Sequence, residues 1–302
     1  MNSVIVAPQS HFELAQKIAQ GFGKQLIVPE ITQFADGDIE VTFADYTLLR
    51  GATVFIVQST NPPTHYNLMQ FLLLVHAVKN AGAARIVGVV PYFGYARQDK
   101  SIIPGGKGAA ELVARMIEAA GVDELVVVEL HAPLVATFFS IPVHSVSVVP
   151  LLIEHIEQQD IVLNETCIVA PDHGAQDRAL AVADSLKVGH IVFAKERYAA
   201  DQTRIGARSG DCVGTTAIII DDMIDTGGTA LHVCDALREQ GFSTIYGYFV
   251  HPVLSGTAID LLEKSHFTAV YVANTISLQK TSPKIKQFDI SSLIIDTLKN
   301  IK

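Results

Sequence analysis

The tetrapeptide IVAP occurs twice, at Ile5–Pro8 and at Ile168–Pro171, and the likeness continues on either side of it. GATVFIVQS from Gly51 falls on GTTAIIIDD from Gly214 at the same separation, and AVKNAGAARIVGVVPY from Ala77 resembles ALREQGFSTIYGYFVHP from Ala236. Pieces recurring in one order across both halves point to a duplicated unit, so any fold assigned to one half must also suit the other. Convergent patterning of strands and helices is the competing explanation.

Each half alternates short apolar runs with amphipathic stretches. VIVAP precedes HFELAQKIAQGFG, TVFIVQ precedes HYNLMQFLLLVHAVKNAG, and GAAELVARMIEAAG precedes ELVVVEL. The helical stretches stop at Gly82, Gly121 and Gly241, as helix C-termini do. Runs of β-branched residues without polar alternation predict strands covered on both faces, hence parallel sheets with helices on each side. The expected fold class is α/β, with two duplicated, doubly wound parallel-sheet domains. The boundary is placed near SVSVVP, giving domains at 1–147 and 148–302, with the last residues able to pack back on the first domain. A chain of 302 residues has the length for two such domains.

A hydrophobic content of 49% excludes wholesale disorder. No apolar run approaches the roughly 20 residues of a bilayer span, so no membrane segment is expected. The start, MNSVIVAPQS, lacks a basic region followed by a long apolar core, and a cytoplasmic location is expected. A formal charge of −9 argues against non-specific nucleic-acid binding, which needs a basic face. Cys167, Cys212 and Cys234 are odd in number and fit no close-spaced metal pattern; they are expected to be reduced, mostly buried thiols.

The duplication also isolates a candidate site. After its strand, the second half carries DDMIDTGGT where the first carries STNPPTH, so the fold can be built without the aspartates and glycines. In an open parallel sheet, ligands bind beyond the carboxyl ends of the strands, where Asp221 and Asp222 are expected. The turn Asp225, Thr226, Gly227, Gly228, Thr229 then leads into a predicted helix whose first N–H groups favour a phosphate. Asp225 or Thr226 acting only as a helix cap would explain one polar residue, not two further carboxylates. Carboxylates repel phosphate, so Asp221 and Asp222 either accept hydrogen bonds from hydroxyls of the same ligand or hold Mg²⁺, directly or through water. A sugar phosphate satisfies both parts of the motif. No G-x-x-x-x-G-K-[ST] segment is present.

These residues resemble the phosphoribosyl pyrophosphate loop shared by type I phosphoribosyltransferases and ribose-phosphate pyrophosphokinases. The resemblance implies that Asp221 and Asp222 bind the ribose 2- and 3-hydroxyls and that Asp225 to Thr229 bind the 5-phosphate. Other segments favour the pyrophosphokinases, which make phosphoribosyl pyrophosphate and AMP from ATP and ribose 5-phosphate. FADGD at 34–38 is similar to their nucleotide segment, YARQD at 95–99 to a second one, and LHAP, APDHG and HPVLSG to three further markers. On this resemblance Phe34 and Arg97 flank an adenine, while Asp36, Asp38, Gln98 and Asp99 make polar contacts to ATP. His131 and Asp172 surround Mg²⁺ and the triphosphate. The Phe34 segment reaches a neighbouring subunit's ATP site, which implies a homo-oligomer.

AKERYAADQTRIGARSGD at 194–211 is polar and too irregular for a buried element; alone it reads as a solvated loop. The resemblance makes it an active-site flap in which Lys195 and Arg197 match the catalytic lysine and arginine. Asp38 and Glu129 exchange the family's customary acid for the other one, and KSIIPGGKGAAE and PLVATFF depart from its usual stretches, leaving the contacts made there open to change. Two competing functions are a catalytically silent regulatory homologue and a phosphoribosyltransferase. Retention of Lys195, Arg197 and His131 speaks against the first, and the duplicated first half with YARQD against the second.

Overall fold

The computed structural model describes residues 2–101, 106, 108–199, 202–210, 212 and 214–301. The first half runs β1 (Ser3–Val6), α1 (Phe12–Phe22), β2 (Gln25–Ile27), β3 (Glu30–Gln33), β4 (Ile39–Thr42), β5 (Thr53–Val57), α2 (Thr64–Asn80), β6 (Arg85–Val90), α3 (Ala109–Ala120), β7 (Glu124–Val128) and β8 (Val143–Val146). The second runs α4 (Val149–Glu157), β9 (Thr166–Ala170), α5 (Gln176–Leu186), β10 (Gly189–Ala199), β11 (Gln202–Ser209), β12 (Thr216–Ile224), α6 (Gly228–Glu239), β13 (Thr244–Pro252), α7 (Ala258–Lys264), β14 (Ala269–Ala273), β15 (Ile285–Phe288) and α8 (Ser291–Asn300). Among the described residues, no helix is long and apolar enough to cross a membrane.

The chain forms two compact units: Met1–Ser147 with Thr275–Ser277 and Ile290–Lys302, and Val148–Asn274 with Leu278–Asp289. Unit 1 holds a parallel sheet of order β2-β1-β5-β6-β7-β8, with β3 and β4 as a separate antiparallel hairpin. Unit 2 holds the order β11-β10-β9-β12-β13-β14-β15, parallel except for β10 against β11. From β9 to β15 the second order matches the first from β1 to β8, strand for strand. The repeated sequence segments are therefore the corresponding strands and crossover helices of two sheets.

Sheets covered on both faces need continuous apolar strands, and β9 and β14 are buried at every position. Apolar side chains of β5 and β6 meet α2 and α3 in one core; those of β12, β13 and β14 meet α6 and α7 in the other. The helix stops take the expected form: Gly82, Gly121 and Gly241 follow α2, α3 and α6 with φ of 85°, 114° and 98°, a region open to glycine at little cost. In unit 1, α8 packs along α1 so closely that a Cβ on Gly21 would collide with Ile295.

Two sequence expectations need correction. Segment 194–211 is no irregular loop over its described length, because β10 and β11 pair antiparallel from Val192↔Ser209 to Ala199↔Gln202. β10 pairs with β9 only as far as Val192↔Ala170, and beyond that point β11 satisfies its backbone instead. The cysteines are not three reduced thiols: Cys167 and Cys212 are joined in a disulfide with Cα atoms 5.9 Å apart, and only Cys234 is free and buried. The lead-in to β12 runs back along the start of β9, where Thr215 N–H donates to Glu165 O (3.1 Å), and this return brings together cysteines 45 residues apart. Local spacing carries no signal for such a pair.

Gly88 in β6 and Gly247 in β13 hold matching places in the repeat. A Cβ on Gly88 would lie 3.1 Å from both Phe71 and Leu125, and one on Gly247 would lie 2.6 Å from Phe249 and 3.1 Å from Phe267. Aromatic rings occupy that space in both copies, so Gly88→Val is expected to destabilise by about 1–3 kcal/mol through overpacking. A denaturation midpoint lowered at constant m-value is the expected reading, and an unchanged midpoint would refute it.

Candidate active site

A parallel sheet opens a ligand crevice where adjacent crossovers leave in opposite directions. In unit 2 this point lies between β9 and β12: the chain leaves β9 through α5 to β10 on one side and returns to β12 on the other. β12 pairs with β9 only through Ile219↔Val169, then continues against β13 alone from Ile220↔Tyr248 to Ile224↔Pro252. Asp221 and Asp222 therefore lie within the strand rather than after it. The longer edge of β13 supplies partners where β9 has already turned into Pro171 and Asp172.

Asp222 is only 6% exposed, and its N–H donates to Asp221 Oδ1 at 2.8 Å. Arg178 Nη1, from the first turns of α5, lies 4.0 Å from the same oxygen. Burial pushes the Asp221 carboxyl well above the usual carboxylate range, with the charges of Asp222 and Asp172 adding to the effect. Asp172 is held locally, its Oδ1 accepting from the N–H groups of Gly174 (2.9 Å) and Ala175 (3.2 Å).

The turn after β12 is latched from outside, since Leu254 N–H donates to Ile224 O (3.0 Å) and Ser255 N–H to Asp225 O (3.2 Å). These two donors belong to HPVLSG, so that segment braces the loop. Gly227 stands at the N-cap of α6 with φ 81° and ψ −8°, and no side chain caps the helix. Glycine, rather than Asp225 or Thr226, thus stands at the N-cap position. The first N–H groups of α6, at Gly228 and Thr229, lack intrahelical acceptors, as at any helix start, and the dipole there favours an anion.

The corresponding crevice of unit 1, between β1 and β5, is occupied by the protein itself. Ser59 Oγ donates to Thr275 O (2.6 Å) and Ser277 Oγ to Ser10 O (3.1 Å), so Thr275–Ser277 lies against both flanking loops. Thr60 Oγ1 accepts from Gly94 N–H (2.7 Å) and Ser59 Oγ from Tyr92 N–H (3.0 Å). Burial pushes the nearby His11 imidazole down to about 4, leaving it neutral. Matching positions thus carry neutral groups in one unit, among them Gln58 and Asn61 whose buried Oε1 and Oδ1 have no hydrogen-bond partner among the described residues, and crowded carboxylates in the other.

The nucleotide candidates all lie in unit 1. Phe34, Asp36 and Asp38 form the exposed tip of the β3–β4 hairpin, closed by Phe34 N–H to Asp38 O (2.8 Å), with Phe34 49% exposed. Phe34 and Asp38 line a groove of about 1130 Å³ against α2, together with Tyr46, His65 and Met69. Arg97, Gln98 and Asp99 follow β6 in a turn entered through Tyr95, whose φ is 68° and whose hydroxyl lies 2.7 Å from His65 Nδ1. Ala110 N–H ties that turn to α3 through Gln98 O at 3.2 Å. Residues 102–105 and 107 of the departing segment lie outside the described residues. His131 is exposed in the turn after β7, and the neighbouring Glu129 accepts from Ser147 Oγ at 2.8 Å. Lys195 and Arg197 stand on β10 opposite Ile205 and Thr203, and their side chains lie outside what is described.

Sequence reasoning missed Arg178. An arginine a few residues after PDHG on a helix looks like any solvated helical residue, yet its side chain is only 12% exposed.

The crowding at Asp221 sets a stability test. The folded chain holds the Asp221 proton more tightly than the unfolded chain, so stability falls as pH rises from about 3.9 through the raised folded value. Asp221→Asn removes that penalty. It is expected to raise the melting temperature at pH 7 by roughly 2–4 °C, the effect of about 1 kcal/mol in a domain of 150–250 residues, with the gain fading towards pH 4. Melting curves of both proteins at the two pH values decide it, and equal values at pH 7 contradict the prediction.

The model of the N-terminal domain of ribose phosphate pyrophosphokinase matches residues 3–121, and that of the phosphoribosyl synthetase-associated domain matches residues 207–302. Ribose-phosphate pyrophosphokinase 1 of Streptococcus pyogenes serotype M3 is 39% identical over 298 residues, covering 97% of this chain and 92% of that one. Its counterpart from Streptococcus pneumoniae serotype 4 is 38% identical over 301 residues, covering 98% and 93%. Among solved structures, phosphoribosylpyrophosphate synthetase from Mycobacterium smegmatis superposes with a TM-score of 0.90 at 32% identity, across 100% of this chain and 99% of that one. Identity at this level over nearly the full length of both chains, on a matching fold, means that the chain belongs to the ribose-phosphate pyrophosphokinase family.

Proposed function

We propose that the protein transfers the pyrophosphoryl group of Mg-ATP to the anomeric hydroxyl of ribose 5-phosphate, giving 5-phosphoribosyl 1-pyrophosphate and AMP for nucleotide synthesis. The observation that carries this reading is the pairing of an uncapped helix N-terminus with two strand-borne carboxylates at the crevice of only one duplicated unit. Such a site offers hydrogen-bond acceptors to a diol and backbone donors to a phosphate, the two ends of ribose 5-phosphate.

In this reading Asp221 and Asp222 accept from the ribose hydroxyls, and Asp225, Thr226, Gly227, Gly228 and Thr229 enclose the 5-phosphate. The anomeric oxygen attacks the β-phosphorus of ATP, the bond from that phosphorus to the AMP oxygen breaks, and AMP leaves. Lys195 and Arg197 offset the charge on the transferring group, and positioning supplies much of the remaining acceleration. Phe34 and Arg97 flank the adenine, with Asp36, Asp38, Gln98 and Asp99 as polar contacts.

Among the described residues, no three His, Cys, Asp or Glu side chains gather to hold a metal. Mg²⁺ that arrives with nucleotide phosphates needs only one or two protein carboxylates; Asp172 would supply one, and His131 is the second proposed donor. When bound, the ion would supply positive charge against the phosphates. The exposed Phe34 hairpin supports engagement of a second copy, hence a homo-oligomer, and the family's chemistry suits the cytoplasm.

AMP formation from ATP, Mg²⁺ and ribose 5-phosphate tests the activity, and omission of the pentose or addition of a chelator is expected to abolish it. Lys195→Ala is expected to lower kcat by roughly 10²–10³-fold, the scale of removing one charge-stabilising donor from a transition state. Absence of AMP, or a Lys195→Ala protein with unchanged kcat, would falsify the assignment.

A further inference from the structure

Three aspartates converge on the β9–β12 crevice, and each is restrained differently. Asp172 is bonded to its own backbone, Asp222 is buried, and Asp221 lies between a backbone donor and Arg178. Arg178 reaches this place because α5 starts directly after the Asp172 turn, so its first turns run beside the end of β12. A guanidinium 12% exposed and 4.0 Å from a carboxylate oxygen is no solvated surface pair. Its planar fork is stiffer than a lysine stem, which suits it to orienting a neighbouring carboxyl group.

We propose that Arg178 is a positioning residue for the sugar: it fixes the Asp221 carboxylate so that the ribose hydroxyls meet an acceptor already in place. The proposal rests on the reading of Asp221 as a ribose ligand. Arg178 acts through Asp221 and belongs to unit 2, so it bears on the pentose and not on the adenine, whose candidate contacts are in unit 1.

The test is steady-state kinetics of the full-length enzyme with Mg-ATP and ribose 5-phosphate, for Arg178→Gln, Arg178→Lys, Asp221→Asn and the Arg178→Gln/Asp221→Asn double variant. Arg178→Gln is expected to raise KM for ribose 5-phosphate roughly tenfold while KM for ATP stays within about twofold, since truncating one partner of a buried charge pair acts locally. Arg178→Lys is expected to recover part of that loss. In the Asp221→Asn background, Arg178→Gln is expected to add little, because residues acting as a unit are not additive. Equal rises in both KM values, a loss confined to kcat, or full additivity in the double variant overturns the role of Arg178. An unchanged KM for ribose 5-phosphate in Asp221→Asn instead overturns the underlying reading of Asp221. Should Arg178→Gln fail to fold, Arg178→Lys decides: a rise of a few fold for ribose 5-phosphate alone supports the proposal, and wild-type values for both substrates refute it.

Discussion

Everything at the candidate site depends on strand polarity. In a parallel sheet all carboxyl ends lie at one edge, and where adjacent crossovers diverge no helix covers that edge. Unit 2 uses this opening between β9 and β12. Asp172, just after β9, and Asp221 and Asp222, within the part of β12 that runs past the end of β9, converge without any local sequence relation. The next element, α6, presents an uncapped N-terminus beside them. Acid and anion receptor are set side by side because strand end and helix start must be neighbours in a β–α connection.

The duplicated unit shows that the opening is not itself a site. Unit 1 has the same strand order and the same divergence, between β1 and β5, but its polar groups are turned inward. Ser59, Thr60 and Asn67 are engaged by backbone and side chains of the same unit, and Thr275–Ser277 lies across the loops. Neutral polar groups cost less to bury than carboxylates, so they suit a closed crevice even where Gln58 Oε1 and Asn61 Oδ1 have no partner among the described residues. Crowded carboxylates repel one another, and hydroxyl donors of a ligand would relieve that crowding. Unit 2 accepts that local instability, consistent with the raised Asp221 carboxyl.

Much of this was legible in the chain. The repeat and the runs of β-branched residues led to two parallel sheets, and the contrast between DDMIDTGGT and STNPPTH led to the open crevice. Where the reading failed, the deciding interaction was non-local. The polar segment from Ala194 lacks an apolar pattern, yet its described residues pair as two strands, because backbone groups beyond the end of β9 need partners. Cys167 and Cys212 meet only because the approach to β12 doubles back along β9. Arg178 sits on a helix of ordinary composition and becomes part of the site only through the proximity of α5 to β12.

The sequence by itself determined the duplication, the secondary-structure types and the placing of an acid-rich, glycine-containing turn in one half alone, since these follow from periodicity and from the chemistry of adjacent residues. Tertiary structure alone decided which of two equivalent crevices is filled by the chain, that Gly227 takes the N-cap place of α6, and that an arginine from another helix stands beside Asp221. Those outcomes depend on which distant backbone groups and charges come within a few ångströms of one another. No pattern along a single segment encodes such a distance.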